Sequence, residues 1–278
     1  MYQKNELITY FGTRFPLLRF VPLAAFLVVS AYSISDPMHT IHIVNGIFAF
    51  VMAFLLILQF RLWDDIADRS SDQLTHPTRV LCQTQVLWPF YLIAIFLFVT
   101  NIILLVWHND VLFRPLVFLA LSFGLFAWYY FRSESTSGGL TNSQIVLIKY
   151  SVIVWLLSHS NANIDMILLV SVLLSVHLIF SIFEILDDQK LRHLPNSFIF
   201  LVGGIVMLVC VWAFVMYWTK PHENFIITMF WYAIILSTLV KGAVSIFNTK
   251  QQVITQQNNN YFIIALIAYF TINFEQRI

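Results

Sequence analysis

Charged residues are scarce in this sequence of 278 residues, because only 10% are Asp, Glu, Lys or Arg. Soluble domains carry about a quarter charged residues and less than half apolar ones. Here 59% of the residues are hydrophobic and the mean hydropathy is +0.80, so the polar surface is too small to cover a water-soluble globule. The same composition excludes a nucleic-acid-binding protein, whereas the net charge of +1 says little about partners. The composition indicates an integral membrane protein.

Cysteine and glycine are scarce as well. The two cysteines, Cys82 and Cys210, have neither metal-site nor thioredoxin spacing, which excludes a disulfide-rich scaffold and leaves the redox compartment open. The 8 glycines are few for an ion-coupled transporter, which often breaks its helices near the membrane centre.

Long apolar segments dominate what is present. A membrane-spanning helix needs roughly 20 mostly apolar residues, and the chain offers nine candidates, of which the fifth and ninth are short. The fold class predicted is an all-α polytopic membrane bundle of about nine helices, in a single domain over residues 1–278. The predicted spans are Phe15–Ile34, Ile41–Phe60, Val86–Trp107, Val111–Phe131, Ile145–Leu157, Ile164–Phe183, Ser197–Trp218, Phe225–Phe247 and Tyr261–Phe274.

Basic residues divide unequally between the two sides of this predicted bundle. With the N-terminus in the cytoplasm, twelve of the 15 Lys and Arg residues are inside, and only Arg114, Lys220 and Arg277 are outside. Cytoplasmic loops carry an excess of Lys and Arg. We therefore expect an inside N-terminus, and a multi-pass protein of the bacterial cytoplasmic (inner) membrane.

Four aspartates follow the second predicted span, in RLWDDIADRSSD at residues 61–72. Asp64, Asp68 and Asp72 are four residues apart, and Asp65 lies three before Asp68. On a helix that continues from the span, all four carboxylates lie along one side. Such charges repel unless cations neutralise them, and carboxylates without His or Cys suit a hard cation such as Mg²⁺. The alternative is a solvated face paired with nearby arginines.

A second acidic cluster, Glu184, Asp187 and Asp188, ends the sixth predicted span. Asp187 and Asp188 lie three and four residues after Glu184, on the same helical face. The predicted topology puts both clusters on the inner side of the membrane. Together they describe a site for two or more divalent cations that bridge a polyphosphate.

The first of these motifs resembles a family signature. Residues 61–81, RLWDDIADRSSDQLTHPTRVL, resemble the first signature of the UbiA superfamily of intramembrane prenyltransferases, Asn-Asp-x-x-Asp-x-x-x-Asp followed by Arg-Pro-Leu. Asp65, Asp68 and Asp72 match its three aspartates, and Arg79 and Leu81 match its Arg and Leu. Nine helices with acidic loops after the second and sixth also fit the family.

The chain departs from the family pattern at several positions. Asp64 replaces the usual Asn and Val80 the usual Pro. The second signature is commonly Asp-x-x-Asp-x-x-x-Asp; Glu184 and Asp187 occupy its first two acids, whereas Leu191 takes the third. The chain therefore resembles members whose second signature is degenerate.

The resemblance implies Mg²⁺-dependent transfer of a prenyl group from a prenyl diphosphate to an unknown aromatic or lipid acceptor, within the lipid bilayer. Lys149 is a candidate because a lysine in an apolar span indicates a polar cavity, unless its amine reaches the headgroups. The metal ligands implied are Asp64, Asp65, Asp68, Asp72, Glu184, Asp187 and Asp188. The catalytic residues implied are Asp65, Asp68, Asp72, Arg79 and Lys149. The cations expected to hold the diphosphate are Arg61, Arg132, Lys190 and Arg192.

Aromatic residues at the same inner end are candidates for stabilising an allylic cation, or for an interfacial belt; they are Trp63, Tyr129, Tyr130, Tyr150 and Trp155. Two other functions remain open. One is a non-catalytic isoprenoid or lipid carrier, which the missing third acid would suit. The other is an ion-coupled transporter.

Overall fold

The computed structural model describes residues 2–34, 43–108, 112–132, 139–158, 166–187 and 197–218, together with Thr238. Within these ranges the regular structure is entirely helical, which confirms the predicted all-α class. The helices are α1 (Tyr2–Arg14), α2 (Leu17–Ile34), α3 (Ile43–Ala67), α4 (Arg69–Thr75), α5 (Val80–Gln83), α6 (Trp88–His108), α7 (Phe113–Phe131), α8 (Leu140–Leu157), α9 (Met166–Asp187) and α10 (Ser197–Trp218).

Six of the described helices are long and apolar enough to cross a membrane. They correspond to the first six predicted spans, and α10 has the bounds predicted for the seventh. The multi-pass membrane bundle is therefore confirmed. The eighth and ninth predicted spans, residues 225–247 and 261–274, lie outside the described residues. The inside N-terminus, the bacterial inner membrane and the single domain stay predictions.

The fifth span is longer than its predicted range, Ile145–Leu157. Helix α8 begins at Leu140, so its first turn contains the polar residues 141–144 and its length is 18 residues. Hydropathy locates the apolar part of a helix and misses such a polar first turn. The helix therefore reaches the length that a membrane crossing needs.

Helix α3 continues past the apolar segment predicted to end at Phe60. It carries Asp64 and Asp65 in its final turns and ends at Ala67. Helical hydrogen bonding continues across the junction with α4, since the Asp68 amide donates to the Asp64 carbonyl and the Asp72 amide to the Asp68 carbonyl, both at 2.8 Å. The predicted helical continuation of the second span is confirmed.

The chain forms two compact units. The first contains residues 1–28 and 41–130, and thus α1, α3 to α6 and the first acidic motif. The second contains residues 29–40 and 131–278, and thus α8 to α10 and the second acidic cluster. Each unit has its own buried side chains. In the first, Tyr10, Leu62, Phe90 and other apolar residues form a core beneath α1.

A buried amide pair joins α3 to α6 in the first unit. Asn101 Nδ2 donates to Gln59 Oε1 at 2.7 Å, and both side chains are fully buried. Removing one partner leaves the other without its hydrogen bond, so we expect Gln59→Leu to lower the free energy of unfolding by about 1–3 kcal/mol. Adding Asn101→Leu to Gln59→Leu should cost less than the sum of the two single changes.

Denaturation of the purified protein in mixed micelles measures these costs, with Val99→Leu, a change at an exposed position on α6, as the control. Strictly additive costs for Gln59→Leu and Asn101→Leu would show that the amides do not stabilise each other.

Candidate functional site

The first acidic motif lies at the end of α3 and in α4. Asp64 and Asp65 are in the last turns of α3, Asp68 is at the junction, and Asp72 is in the first turn of α4. Asp64, Asp65 and Asp72 are buried, whereas Asp68 is half-buried. Buried carboxylates need partners, and the partners here come from different parts of the first unit.

Each buried aspartate contacts a different donor. The Tyr129 hydroxyl donates to Asp64 Oδ1, and the Arg79 guanidinium forms an ion pair with Asp72 Oδ2. Arg14 forms an ion pair with Asp65 Oδ1, and its Nε donates to Asp65 Oδ2 at 2.8 Å. The helical spacing is therefore observed, but the carboxylates are directed to separate partners.

In the part of the chain that the structure describes, no three His, Cys, Asp or Glu side chains lie close enough together to hold one metal ion. A magnesium ion does not require three protein ligands, because it commonly uses one or two carboxylates plus water and substrate phosphates. Asp68 and Asp72, one helical turn apart, fit such a shared site in donor chemistry. The two carboxylates thus suit a cation whose remaining ligands are water and diphosphate oxygens, and they do not form a closed protein cage.

The nearby arginines have distinct roles. Arg69 donates from Nε to the Leu81 carbonyl at 2.7 Å and from Nη2 to the Thr84 carbonyl at 3.0 Å, so it ties α4 to the end of α5. Arg61 Nη2 lies 3.7 Å from Asp65 Oδ1 and its side chain is 38% exposed. Arg79 is joined to Asp72 with 30% of its side chain exposed. Arg61 and Arg79 are therefore accessible to an anionic ligand.

Cys82 reports on the environment of Arg79. Burial raises the pKa of the Cys82 thiol, the negative Asp72 raises it further, and Arg79 lowers it. Because the thiolate is the reactive form, we expect Cys82 to react with maleimide more slowly than free cysteine at neutral pH, and the rate to rise about tenfold per pH unit below its pKa. Arg79→Leu should slow the reaction further.

A Cys210→Ser background leaves Cys82 as the one thiol of the chain, and the labelling rate is measured between pH 6 and 10. A labelling rate at neutral pH equal to that of free cysteine would contradict the raised pKa.

The second unit contains the other candidate residues. Lys149 in α8 is only 2% exposed, and its Nζ lies 5.5 Å from the centre of the Tyr150 ring. The Lys149 side chain is therefore buried inside the second unit, and its place in a diphosphate site stays a prediction. Arg132 follows α7, and its Nη1 lies 3.5 Å from Asn142 Oδ1.

The second acidic cluster is described only in part. Glu184, near the end of α9, is exposed, and Asp187 is the last residue of that helix. Asp188, Lys190 and Arg192 lie outside the described residues, and the Asp187 side chain is not described. A shared site between the two acidic clusters, which lie in different units, stays a prediction.

Helices α8 and α9 meet through polar and aromatic side chains. The Ser181 hydroxyl lies 2.5 Å from Gln144 Oε1, and the Ser151 hydroxyl donates to the Leu173 carbonyl at 2.8 Å. The Tyr150 ring stacks on Phe180 with ring centres 4.0 Å apart. Tyr150 is therefore fixed within the second unit, at the residue next to Lys149.

Three residues at the first acidic motif were missed or undervalued by sequence reasoning. Tyr10 and Arg14 both contact Asp65, and Tyr129, which was considered only for its ring, contacts Asp64 through its hydroxyl. Burial raises the pKa of the Tyr10 hydroxyl, and Asp65 raises it further, so Tyr10 remains a donor. Tyr10 and Arg14 are four residues apart on α1, so the sequence could have predicted that they share one helical face, but not that this face contacts Asp65.

Comparisons with known proteins support the fold. No protein-family model matches the sequence, and no curated protein matches it. A solved structure of a digeranylgeranylglyceryl phosphate synthase, studied in membranes, has a similar fold: the TM-score is 0.55, with 16% identity, over 95% of this chain and 99% of that chain. At this identity the likeness shows the shared fold alone, and it extends over nearly the whole length of both chains.

Proposed function

We propose that this protein transfers a prenyl group from a prenyl diphosphate to an acceptor, at a site that opens to the cytoplasmic membrane face and requires Mg²⁺. The observation that carries the proposal is the aspartate series with Arg79 held at Asp72, directly at the end of membrane helix α3. The UbiA-like signature over residues 61–81 and a fold shared with a membrane synthase support the same function.

The proposed diphosphate site uses the end of α3 and helix α4. Asp68 and Asp72 would hold Mg²⁺, and Asp64 is the third candidate. When bound, Mg²⁺ neutralises negative charge on the diphosphate as it leaves the prenyl chain. Arg79 contributes two parallel hydrogen bonds to diphosphate oxygens, for which its planar guanidinium is suited. Its ion pair with Asp72 holds the guanidinium in place before the substrate binds.

Further cations and aromatic rings complete the proposed site. Lys149 is proposed as a further diphosphate cation, since it is a lysine buried within an apolar helix. Arg61 and Arg132 are proposed to attract the anionic substrate, as are Lys190 and Arg192. Trp63, half-buried at the end of α3, stacks edge-on against Phe60 and faces Phe98 at a ring distance of 5.7 Å. Such electron-rich walls stabilise an allylic cation without attacking it.

The second acidic cluster is proposed to matter less than the first. Glu184 is exposed, and the third acid of the usual signature is Leu191 here. We therefore expect Glu184→Gln to reduce turnover by about tenfold or less, and Asp68→Asn to reduce it much more. Parallel steady-state assays of the two variants decide this, and the reverse order would make the second cluster the leading one.

The proposed function is tested by transfer of label in membranes. Vesicles that contain the protein are incubated with radiolabelled prenyl diphosphates, Mg²⁺ or EDTA, and either lipid extract or small aromatic acceptors. We expect Mg²⁺-dependent transfer of label to a product that lacks the diphosphate. Binding of the prenyl diphosphate without transfer to any acceptor would instead favour the non-catalytic carrier. No binding would refute the diphosphate site.

A further inference from the structure

The carboxylate of Asp65 is occupied by groups from the N-terminal helix. Arg14 contacts both of its oxygens, with Nε 2.8 Å from Oδ2 and an ion pair to Oδ1. The Tyr10 hydroxyl donates to Oδ2 at 2.9 Å. Tyr10 is 1% exposed and Asp65 is 5% exposed. Asp65 therefore differs from Asp68, which is half-buried at the helix junction.

These contacts leave little capacity for a metal ion at Asp65. A carboxylate has about four acceptor positions on its two oxygens, and Arg14 and Tyr10 use three of them. The charge of the carboxylate is balanced by Arg14, with Arg61 a further 3.7 Å contact. A divalent cation at Asp65 would have to displace Arg14 and leave its guanidinium unpaired in a half-buried position, which is unfavourable.

The same contacts fix α1 to the rest of the first unit. Glu6, Tyr10 and Arg14 are spaced four residues apart, so they lie along one side of α1. Glu6 accepts a hydrogen bond from the Thr84 hydroxyl at 2.7 Å, at the end of α5. The Tyr10 ring packs edge-on against Phe90 of α6, with ring centres 5.2 Å apart. This side of α1 thus docks on α3, α5 and α6, with Asp65 as its charged contact.

We propose that Asp65 is the docking residue for α1 and does not ligate a divalent cation, so that the cation of the proposed function is assigned to Asp68 and Asp72, with Asp64 as the further candidate. The part of this inference that concerns the cation rests on the proposed function. The docking of α1 rests only on the contacts of Asp65. It departs from the family signature, in which the position of Asp65 is one of the three acids. Arg14 and Tyr10 are then positioning residues, because they hold the end of α3 that carries Asp64.

Docking and metal binding are separated by measuring both on the same variants. Mn²⁺, detected by electron paramagnetic resonance, serves as the divalent probe for the purified protein in lipid nanodiscs. Chymotrypsin cleavage of the Tyr10–Phe11 bond reports release of α1, because Tyr10 is buried when α1 is docked. The variants are Asp65→Asn, Asp68→Asn and the exchange Arg14→Asp with Asp65→Arg, each checked for a monodisperse elution profile.

For Asp65→Asn we expect cleavage about tenfold faster than in the wild type and Mn²⁺ affinity within about threefold. For Asp68→Asn we expect unchanged cleavage and Mn²⁺ affinity lower by about tenfold or more. The charge exchange should restore protection of Tyr10 and retain Mn²⁺ binding, although position 65 then has no carboxylate. If Asp65 were a metal ligand, this rescue would be impossible, because an arginine at position 65 cannot bind a cation.

Loss of Mn²⁺ affinity in Asp65→Asn as large as in Asp68→Asn, or in the charge exchange, would overturn the proposal. Unchanged cleavage in Asp65→Asn would overturn it as well. A wild-type protein that binds no Mn²⁺ would refute the metal in the proposed function. In that case the cleavage results alone decide whether Asp65 docks α1.

Discussion

Asp68→Asn is expected to lower the rate of prenyl diphosphate turnover by roughly a thousandfold, because it removes one carboxylate of the proposed metal site and with it several kcal/mol of transition-state stabilisation. Asp68 is the half-buried aspartate of the motif, at the junction of α3 and α4. Asn has nearly the same shape and keeps one oxygen. The loss should therefore appear in turnover at saturating substrate, measured as diphosphate release.

The matched control for Asp68→Asn is Gln73→Ala, which alters an exposed side chain of the same short helix. We expect turnover of Gln73→Ala to stay within about twofold of the wild type, because surface changes have small effects. Equal losses in both variants would mean that α4 is sensitive to any substitution. Full activity of Asp68→Asn would remove Asp68 from the proposed site.

Arg79→Leu is expected to raise the KM for prenyl diphosphate by about a hundredfold, because the proposed bidentate guanidinium contact to diphosphate is lost. Arg79→Lys should recover only part of this, since an ammonium group cannot present two parallel donors. Steady-state kinetics over a range of prenyl diphosphate concentrations measures the change in KM.

The control for Arg79 is needed because Arg79→Leu also leaves the buried Asp72 carboxylate without its ion pair. Such an unpaired buried charge destabilises a protein by itself. Replacing Asp72 by Ala in the Arg79→Leu background removes that penalty and should recover the free energy of unfolding. Because Asp72 is itself a proposed metal ligand, the double variant controls for stability alone. An Arg79→Leu variant that loses free energy of unfolding but keeps the wild-type KM would show that Arg79 acts through Asp72 and not on the substrate.

The membrane helices were predictable from the sequence because bilayer thickness sets their length. Hydropathy located α2, α6 and α7 within a few residues of their observed bounds, and the aspartate spacing correctly implied that α3 continues beyond Phe60. The polar first turn of α8 was missed because hydropathy does not detect helical residues that lie outside the apolar segment. Boundaries were thus the weaker part of the fold prediction.

The partners of the aspartates were not predictable by the same reasoning. Tyr10 and Arg14 are 55 and 51 residues from Asp65, and Tyr129 is 65 residues from Asp64. Periodicity describes contacts within one helix, whereas these pairs arise from how helices pack. For the same reason the sequence left two alternatives for Lys149, whose burial only the packing of the helices shows.

Diphosphate release by the purified protein shows whether the end of α3 forms a metal-dependent diphosphate site. Purified protein in nanodiscs is given a radiolabelled prenyl diphosphate with an acceptor extract, and diphosphate release is followed with Mg²⁺ and with EDTA, for the wild type and for Asp68→Asn. Such a site predicts release by the wild type with Mg²⁺, and its loss both in EDTA and in Asp68→Asn. Release that continues unchanged in EDTA and in Asp68→Asn would contradict it.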